Sequence, residues 1–295
     1  MLDTVSIFEV GPRDGLQNET RFVPTDRKID LINRLSACGF TKIEATSFVS
    51  PDWVPQMADA GLVLDTITRT SGVRYCALTP NLRGLQDAIN HGADEVAIFA
   101  AASEEFSHRN INCSIDESLE RYLAVLREAK GHKVPVRGYV STIANCPYSG
   151  PVDPVSTARV VHALLDMGCY EVSLGETTGI APPEAIERLL THLRPSVPAE
   201  RLAGHFHDTD GYALANIDLC LAHGIRSFDS SVAGLGGCPF SPGAKGNVAS
   251  EAVCKHLHQL GFDTGIELEK LLRVAEFAKG LTRNPIQDEH LSGLD

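Results

Sequence analysis

Apolar, β-rich runs alternate with amphipathic helical stretches eight times along this chain, and few folds accept such a pattern. The strands read as VSIFEV (5–10), KIEATS (42–47), VRYCALT (73–79), DEVAIFAA (94–101), VPVRGYVS (134–141), YEVSLGET (170–177), RLAGHFHD (201–208) and SFDSSVA (227–233). Helical periodicity follows each, over 25–38, 55–70, 81–91, 115–130, 155–167, 183–193, 214–223 and 247–260. Strands that are apolar on both faces need cover on both faces, which helices after each strand supply in a parallel sheet. Gly39, Gly92, Gly168, Gly224 and Gly261 stand where a helix stops and turns back toward the next strand. The expected fold is an α/β (β/α)8 TIM barrel. It forms a single domain over 1–295, with the barrel at about 3–260 and a helix and polar tail over 261–295 that cap the barrel or serve a subunit contact. Alternation alone does not say that the sheet closes, so an open doubly wound sheet is the other compatible architecture.

Charge narrows the partners. Twenty-six basic against 38 acidic side chains give a net charge of −12, which argues against nucleic acid or an anionic membrane as a bulk partner. No apolar run approaches the roughly 18 residues of a membrane span. The eight cysteines form no CxxC pair, so neither a disulfide framework nor a zinc ribbon is expected. The opening MLDTVSIFEV enters a strand at once rather than a targeting segment, and the expectation is a cytoplasmic protein with reduced thiols.

In a closed barrel, working groups belong at the C-terminal ends of strands and in the loops that follow. Arg13, Asp14 and Gln17 follow strand 1 in EVGPRDGLQNE, Glu44 lies on strand 2, and Glu176 ends strand 6. His205 and His207 sit two apart on strand 7, hence on one face. Cys238 and Asn247 occupy the glycine-rich stretch after strand 8. One carboxylate, two imidazoles and one amide oxygen from Asp14, His205, His207 and Asn247 suit Mg2+ or Mn2+, and two histidines with a carboxylate can also hold Fe2+. A plainer reading of HxH is a hydrogen-bonded core feature. Arg13 offers a permanent planar cation to a developing enolate or carboxylate, or else a salt bridge beneath the barrel. Cys238, flanked by glycines, can carry a proton if its thiol is acidified, or can be inert packing. Glu44 on an apolar strand needs a partner, which is Arg13 or a metal-bound water. Glu251, four residues after Asn247 on the same helix, supports the site or favours the helix dipole.

Together EVGPRDGLQNE, IEATSFVSPDWVPQMAD, NINCS, SLGETTGI, GHFHDTDGYALANI and SSVAGLGGCPF followed by GNVASE resemble the 3-hydroxy-3-methylglutaryl-CoA (HMG-CoA) lyase family, across nearly the whole chain. Its wider metal-dependent barrel superfamily also holds Claisen synthases of isopropylmalate type; the cysteine loop separates the lyases. The resemblance implies an acyl-CoA thioester substrate, a homodimer, and metal binding by Asp14, His205, His207 and Asn247. It implies catalysis by Arg13, His205 and Cys238, with Gln17, Glu44 and Glu176 as substrate contacts. The implied reaction is retro-Claisen cleavage to acetyl-CoA and acetoacetate. Departures are SLGET where SLGDT is usual and HDTDGY where HDTYGQ is usual, which alter Glu176, Asp210 and Tyr212. They keep open a shorter substrate such as citramalyl-CoA, giving pyruvate, or a longer 3-alkyl analogue. A condensing synthase and a catalytically silent acyl-CoA or metal-binding barrel are the rival classes.

Overall fold

The computed structural model describes residues 3–236 and 246–282. Its strands are β1 Ser6–Glu9, β2 Lys42–Ser47, β3 Arg74–Leu78, β4 Glu95–Ala101, β5 Val136–Ser141, β6 Asn145–Cys146, β7 Gly150–Pro151, β8 Val172–Glu176, β9 Leu202–Phe206 and β10 Ser227–Ser230. The helices are α1 Thr25–Ser36, α2 Ala60–Thr66, α3 Leu82–Asn90, α4 Glu104–Ile111, α5 Ile115–Gly131, α6 Pro154–Met167, α7 Pro183–Leu193, α8 Ala213–Ala222, α9 Ser250–Gln259 and α10 Leu268–Thr282. Eight strands pair in parallel in the order β1, β2, β3, β4, β5, β8, β9, β10, and β10 closes back on β1 with Phe8 opposite Asp229. The sheet is closed, so the doubly wound alternative is excluded and the TIM barrel stands.

Two cores result. The larger lies between strands and helices and is aliphatic: Leu31, Ile32 and Leu35 of α1 and Leu189, Leu190 and Leu193 of α7 are all buried against it. The smaller lies inside the barrel, where Phe8, Cys76, Leu78, Ala97 and Tyr139 gather. They share that interior with ions: Arg137 is fully buried, its guanidinium over the rings of Phe8 and Tyr139 at 4.7 and 5.0 Å. Its Nε donates to Glu171 Oε1 at 2.7 Å, and its Nη2 donates to Asp229 Oδ1 at 2.7 Å. Arg137 therefore belongs to the barrel filling and not to the face where strands end.

Boundaries shifted where tertiary bonds competed with helix propensity. The stretch 55–70 is a 3-10 turn at Pro55–Met57 and then the short α2. Gln56 is taken up by Val23, whose amide donates to its Oε1 at 3.0 Å, and Asp59 by Thr25 and Lys28 of α1. Residues 246–249 are extended, because Asn247 bridges to His207 and Ala249 to Ser231; the last barrel helix starts only at Ser250. Helix α4 was not anticipated, although Ser103 caps it by accepting from Phe106 N and Glu104 and Glu105 follow in its first turn. All five helix-stop glycines have positive φ, from +73° at Gly92 to +114° at Gly168.

The segment after the barrel closes over its lower end. Val5 N donates to Asp263 O at 2.9 Å and Glu267 N to Cys38 O at 2.8 Å, while Phe277 of α10 lies under the guanidinium groups of Arg27 and Arg34. Gly39, at φ +100°, abuts this segment so closely that a Cβ there would collide with the carbonyl oxygen of Gly265. Gly39→Ala is expected to cost roughly 2 to 4 kcal/mol, from the strained backbone and the overlap together. Urea denaturation checks it; a cost below about 0.5 kcal/mol would mean that the corner is not fixed in this way.

Candidate active site

The turn after β1 determines where the first two site residues point. Gly11–Gly15 forms a single π-helical turn, with Gly15 N donating to Val10 O at 3.2 Å. It lies directly on the 231–235 stretch, and a Cβ on Gly15 would stand 2.7 Å from Ser231 Oγ. Arg13 and Asp14 project from the turn. Arg13 is 6% exposed; its Nε donates to Glu44 Oε2 and its Nη1 to Asp14 Oδ1, both at 2.6 Å. Burial opposes the charge, but the Glu44 and Asp14 carboxylates outweigh it and raise the guanidinium still further above its ordinary value. Glu44 is thus the anchor of Arg13. A register shift in the β2–β3 pairing falls immediately after Glu44, a break in the ladder of the kind that re-aims side chains beside working sites.

Opposite, His205 of β9 and His207 just beyond it face Asp14, and ligand atoms of the three lie within 4.8 Å of one another. Burial pushes the Asp14 carboxyl up, but Arg13, His205 and His207 overcome this and hold it down at about 2. His207 is lowered to about 4 by burial first and by His205 second, so its imidazole is neutral at physiological pH. Its Nδ1 is buried without a partner among the described residues. A buried imidazole nitrogen left bare is costly unless a cation takes it up, and two nitrogens with one carboxylate oxygen form a donor set for a divalent ion. The residues fit such a group. Asn247 touches the cluster through its amide nitrogen, which donates to Asp14 Oδ2 at 2.7 Å and Leu235 O at 3.3 Å.

A cavity of about 480 Å3 opens above these groups. Arg13, Asp14, Gln17, Tyr139, His205 and His207 line it, and it runs out to Trp53, which is 71% exposed. Gln17 Oε1 and the Tyr139 hydroxyl are, like His207 Nδ1, buried with no partner among the described residues. Glu44 is fully buried and does not line the cavity. Glu176 is turned the other way: it follows Gly175, which faces the cavity, and strand alternation sends its carboxylate to Thr178 Oγ1 at 2.5 Å and to the amides of Thr178, Gly179 and Ala181. The expected contact of Glu176 with substrate is corrected accordingly, to a carboxylate that holds the 177–181 loop. Asp210 and Tyr212 also lie outside the cavity wall. Cys238 falls outside the described residues.

Two groups in the site were not singled out as site residues from the sequence. Asp229, in SFDSSVA, stands under His205, and it carried the signal that marked Glu44, an acid on an otherwise apolar strand. Trp53 gave no signal, since nothing local places it at the cavity mouth.

Residues 4–278 match the family described as HMGL-like. The chain belongs to the HMGL-like family. It is similar to the mitochondrial hydroxymethylglutaryl-CoA lyase of Arabidopsis thaliana, 56% identical over 92% of this chain and 58% of that protein, so the chain spans little more than half of that relative. A Pseudomonas aeruginosa 3-hydroxy-3-isohexenylglutaryl-CoA/hydroxy-methylglutaryl-CoA lyase is 55% identical, over 91% of this chain and 89% of that one. The crystal structure of the HMG-CoA lyase from Brucella melitensis superimposes with a TM-score of 0.95 at 52% identity, covering 96% of this chain and all of that one. Among the described residues no helix is long and apolar enough to cross a membrane.

In this HMGL-like chain one carboxylate ties the site's two loops together. Glu9, fully buried at the end of β1, accepts from Gly11 N (2.8 Å), Val232 N (2.9 Å) and Ser250 Oγ (2.6 Å). Glu251 adds a second brace by accepting from Ala233 N at 3.0 Å, and since Asn247 is not helical the two do not share a helix face. Burial raises the Glu9 carboxyl to about 7, against the lowering effect of its three donors. A carboxyl raised on folding contributes stability that is fully present below its ordinary 4.5 and is lost as pH rises through about 7. Glu9→Gln removes that dependence. The unfolding free energy of the variant relative to the parent is expected to rise by roughly 3 kcal/mol between pH 4.5 and 8, read from urea denaturation across that range; a constant difference would mean that Glu9 does not titrate there.

Proposed function

We propose that this chain cleaves HMG-CoA to acetyl-CoA and acetoacetate, using Mg2+ or Mn2+ held by Asp14, His205 and His207 with Asn247 beside them. The observation that carries the reading is a buried, permanently charged Arg13 placed next to an Asp-His-His cluster on one wall of an open cavity. A silent barrel has no use for a buried guanidinium beside such a cluster on the wall of an open cavity. The relatives named above, which are lyases of HMG-CoA, support the same reaction.

When bound, the divalent ion supplies Lewis acidity that makes the substrate's tertiary hydroxyl easier to deprotonate. The chain's own groups do the rest. A base at the site takes the hydroxyl proton, C3 becomes a ketone as the C2–C3 bond breaks, and the electron pair of that bond moves into the thioester as an enolate. Arg13, locked by Glu44 and Asp14, meets the negative charge on that oxygen without having to reorganise. Gln17 and Tyr139 stand on the same wall, as contacts for the substrate's polar groups. The enolate carbon takes a proton to give acetyl-CoA, the step for which Cys238 is proposed, while His205 serves through the divalent ion it would hold. The thioester arm leaves toward Trp53. With Glu176, Asp210 and Tyr212 all outside the cavity wall, the motive for a shorter substrate is gone. A longer 3-alkyl branch remains the second reading, favoured by the Pseudomonas relative.

Acetyl-CoA release should be assayed on HMG-CoA, citramalyl-CoA and an isohexenyl analogue, with the second product identified. Acetoacetate is expected, with activity abolished by EDTA and restored by Mg2+ or Mn2+; predominant pyruvate would overturn the assignment. Arg13→Ala is expected to lower kcat by about 10^2 to 10^3, the worth of one preorganised donor to a developing oxyanion.

A further inference from the structure

Beneath the metal cluster a set of polar groups is fully enclosed in the barrel and takes no part in the reaction as described. Asp229, on β10 in register with His205 of β9, is 2% exposed. Its Oδ1 accepts from Arg137 Nη2 at 2.7 Å, and its Oδ2 accepts from Arg137 Nη1 at 3.0 Å and Ser173 Oγ at 2.7 Å. The fourth neighbour of this carboxylate is His205 Nδ1, 3.2 Å from Oδ2. Arg137 cannot turn away, since Glu171 holds its Nε and the rings of Phe8 and Tyr139 lie on it. A carboxylate with these donors already seated can only accept from His205, so the proton of the imidazole must be on Nδ1. In the neutral imidazole the other nitrogen, Nε2, then presents a bare electron pair upward, 3.9 Å from Asp14 Oδ2.

We propose that Asp229, held in place by Arg137 and Ser173, is the positioning residue that fixes His205 as its Nδ1–H tautomer and so presents Nε2 to the divalent ion. The arrangement is one-sided: His207 has no such partner at Nδ1 among the described residues, so of the two imidazoles His205 alone is held from below by a carboxylate. The inference rests on the metal-binding reading above. It also accounts for an arginine at the centre of a barrel, where an apolar side chain would fill the same space, because only a fixed cation keeps Asp229 aimed at the ring.

Asp229→Asn separates the possibilities. Facing the Arg137 fork the amide must turn its oxygen to the guanidinium and its NH2 toward His205, which then has to accept at Nδ1 and carry its proton on Nε2. Spectra of 15N-histidine-labelled, metal-free protein at pH 9, with His205 assigned through His205→Gln, are expected to show Nδ1–H in the parent and Nε2–H in the variant. Mn2+ titration followed by electron paramagnetic resonance is expected to show affinity weakened by about 10- to 100-fold in Asp229→Asn. At saturating Mn2+, kcat falls while KM for the thioester changes little. An Nε2–H tautomer in the parent overturns the proposal, even if the variant does not fold. So does a folded variant whose Mn2+ affinity stays within twofold of the parent. Absence of Mn2+ binding by the parent would instead defeat the metal reading, while the parent spectrum still decides the tautomer.

Discussion

The guanidinium of Arg137 has no access to water, and a charge so enclosed must be neutralised by its neighbours or the barrel cannot close around it. From that requirement the arrangement of the upper half follows. Glu171 and Asp229 flank Arg137 at 2.7 Å; Asp229 reaches His205 at 3.2 Å, and His205 faces Asp14 at 3.9 Å. Asp14 meets Arg13 and Arg13 meets Glu44, each at 2.6 Å. Acidic and basic side chains alternate along this series from the lower end of the barrel to the cavity. Four carboxylates therefore stand against two guanidinium groups and the His205 imidazole in one connected set. The residues that fill the barrel are thus continuous with the Asp-His-His donor set at its mouth.

Much of this was legible in the sequence because it depends on short-range pattern. Eight apolar runs with glycines after the intervening helices specify a covered parallel sheet, and the spacing of His205 and His207 places both on one face whatever surrounds them. Arg13 with Glu44 was legible for a different reason: an acid on an apolar strand demands a cation, and a single loop beside it supplied one. What escaped was decided by contacts far apart in the chain. Residues 246–249 read as helix and became extended because His207 and Ser231 offered them strand pairing. Glu176 read as a mouth residue, yet strand alternation from Gly175 turns it outward, where the amides of Thr178, Gly179 and Ala181 collect its carboxylate. Arg137 and Asp229 come from strands 92 residues apart, and no local rule could join them.

Glu9 and Glu251 do for the loops what Arg137 does for the strands. Each accepts from backbone amides of the 232–233 stretch, and Glu9 also fixes the turn that carries Arg13 and Asp14. The base of the glycine-rich stretch after β10 and the RDG turn are therefore held to one carboxylate, so that displacement of either is transmitted to the other. The donor groups are backbone and a serine hydroxyl, so the coupling depends on geometry more than on charge.

Trp53 is the chain's single tryptophan, and it stands exposed on the wall of the cavity. Every photon of indole emission from this protein thus originates at the entrance to its active site. A thioester entering the cavity replaces water around that one ring, and occupancy becomes visible in the unmodified protein as a change in emission, free of background from any other indole.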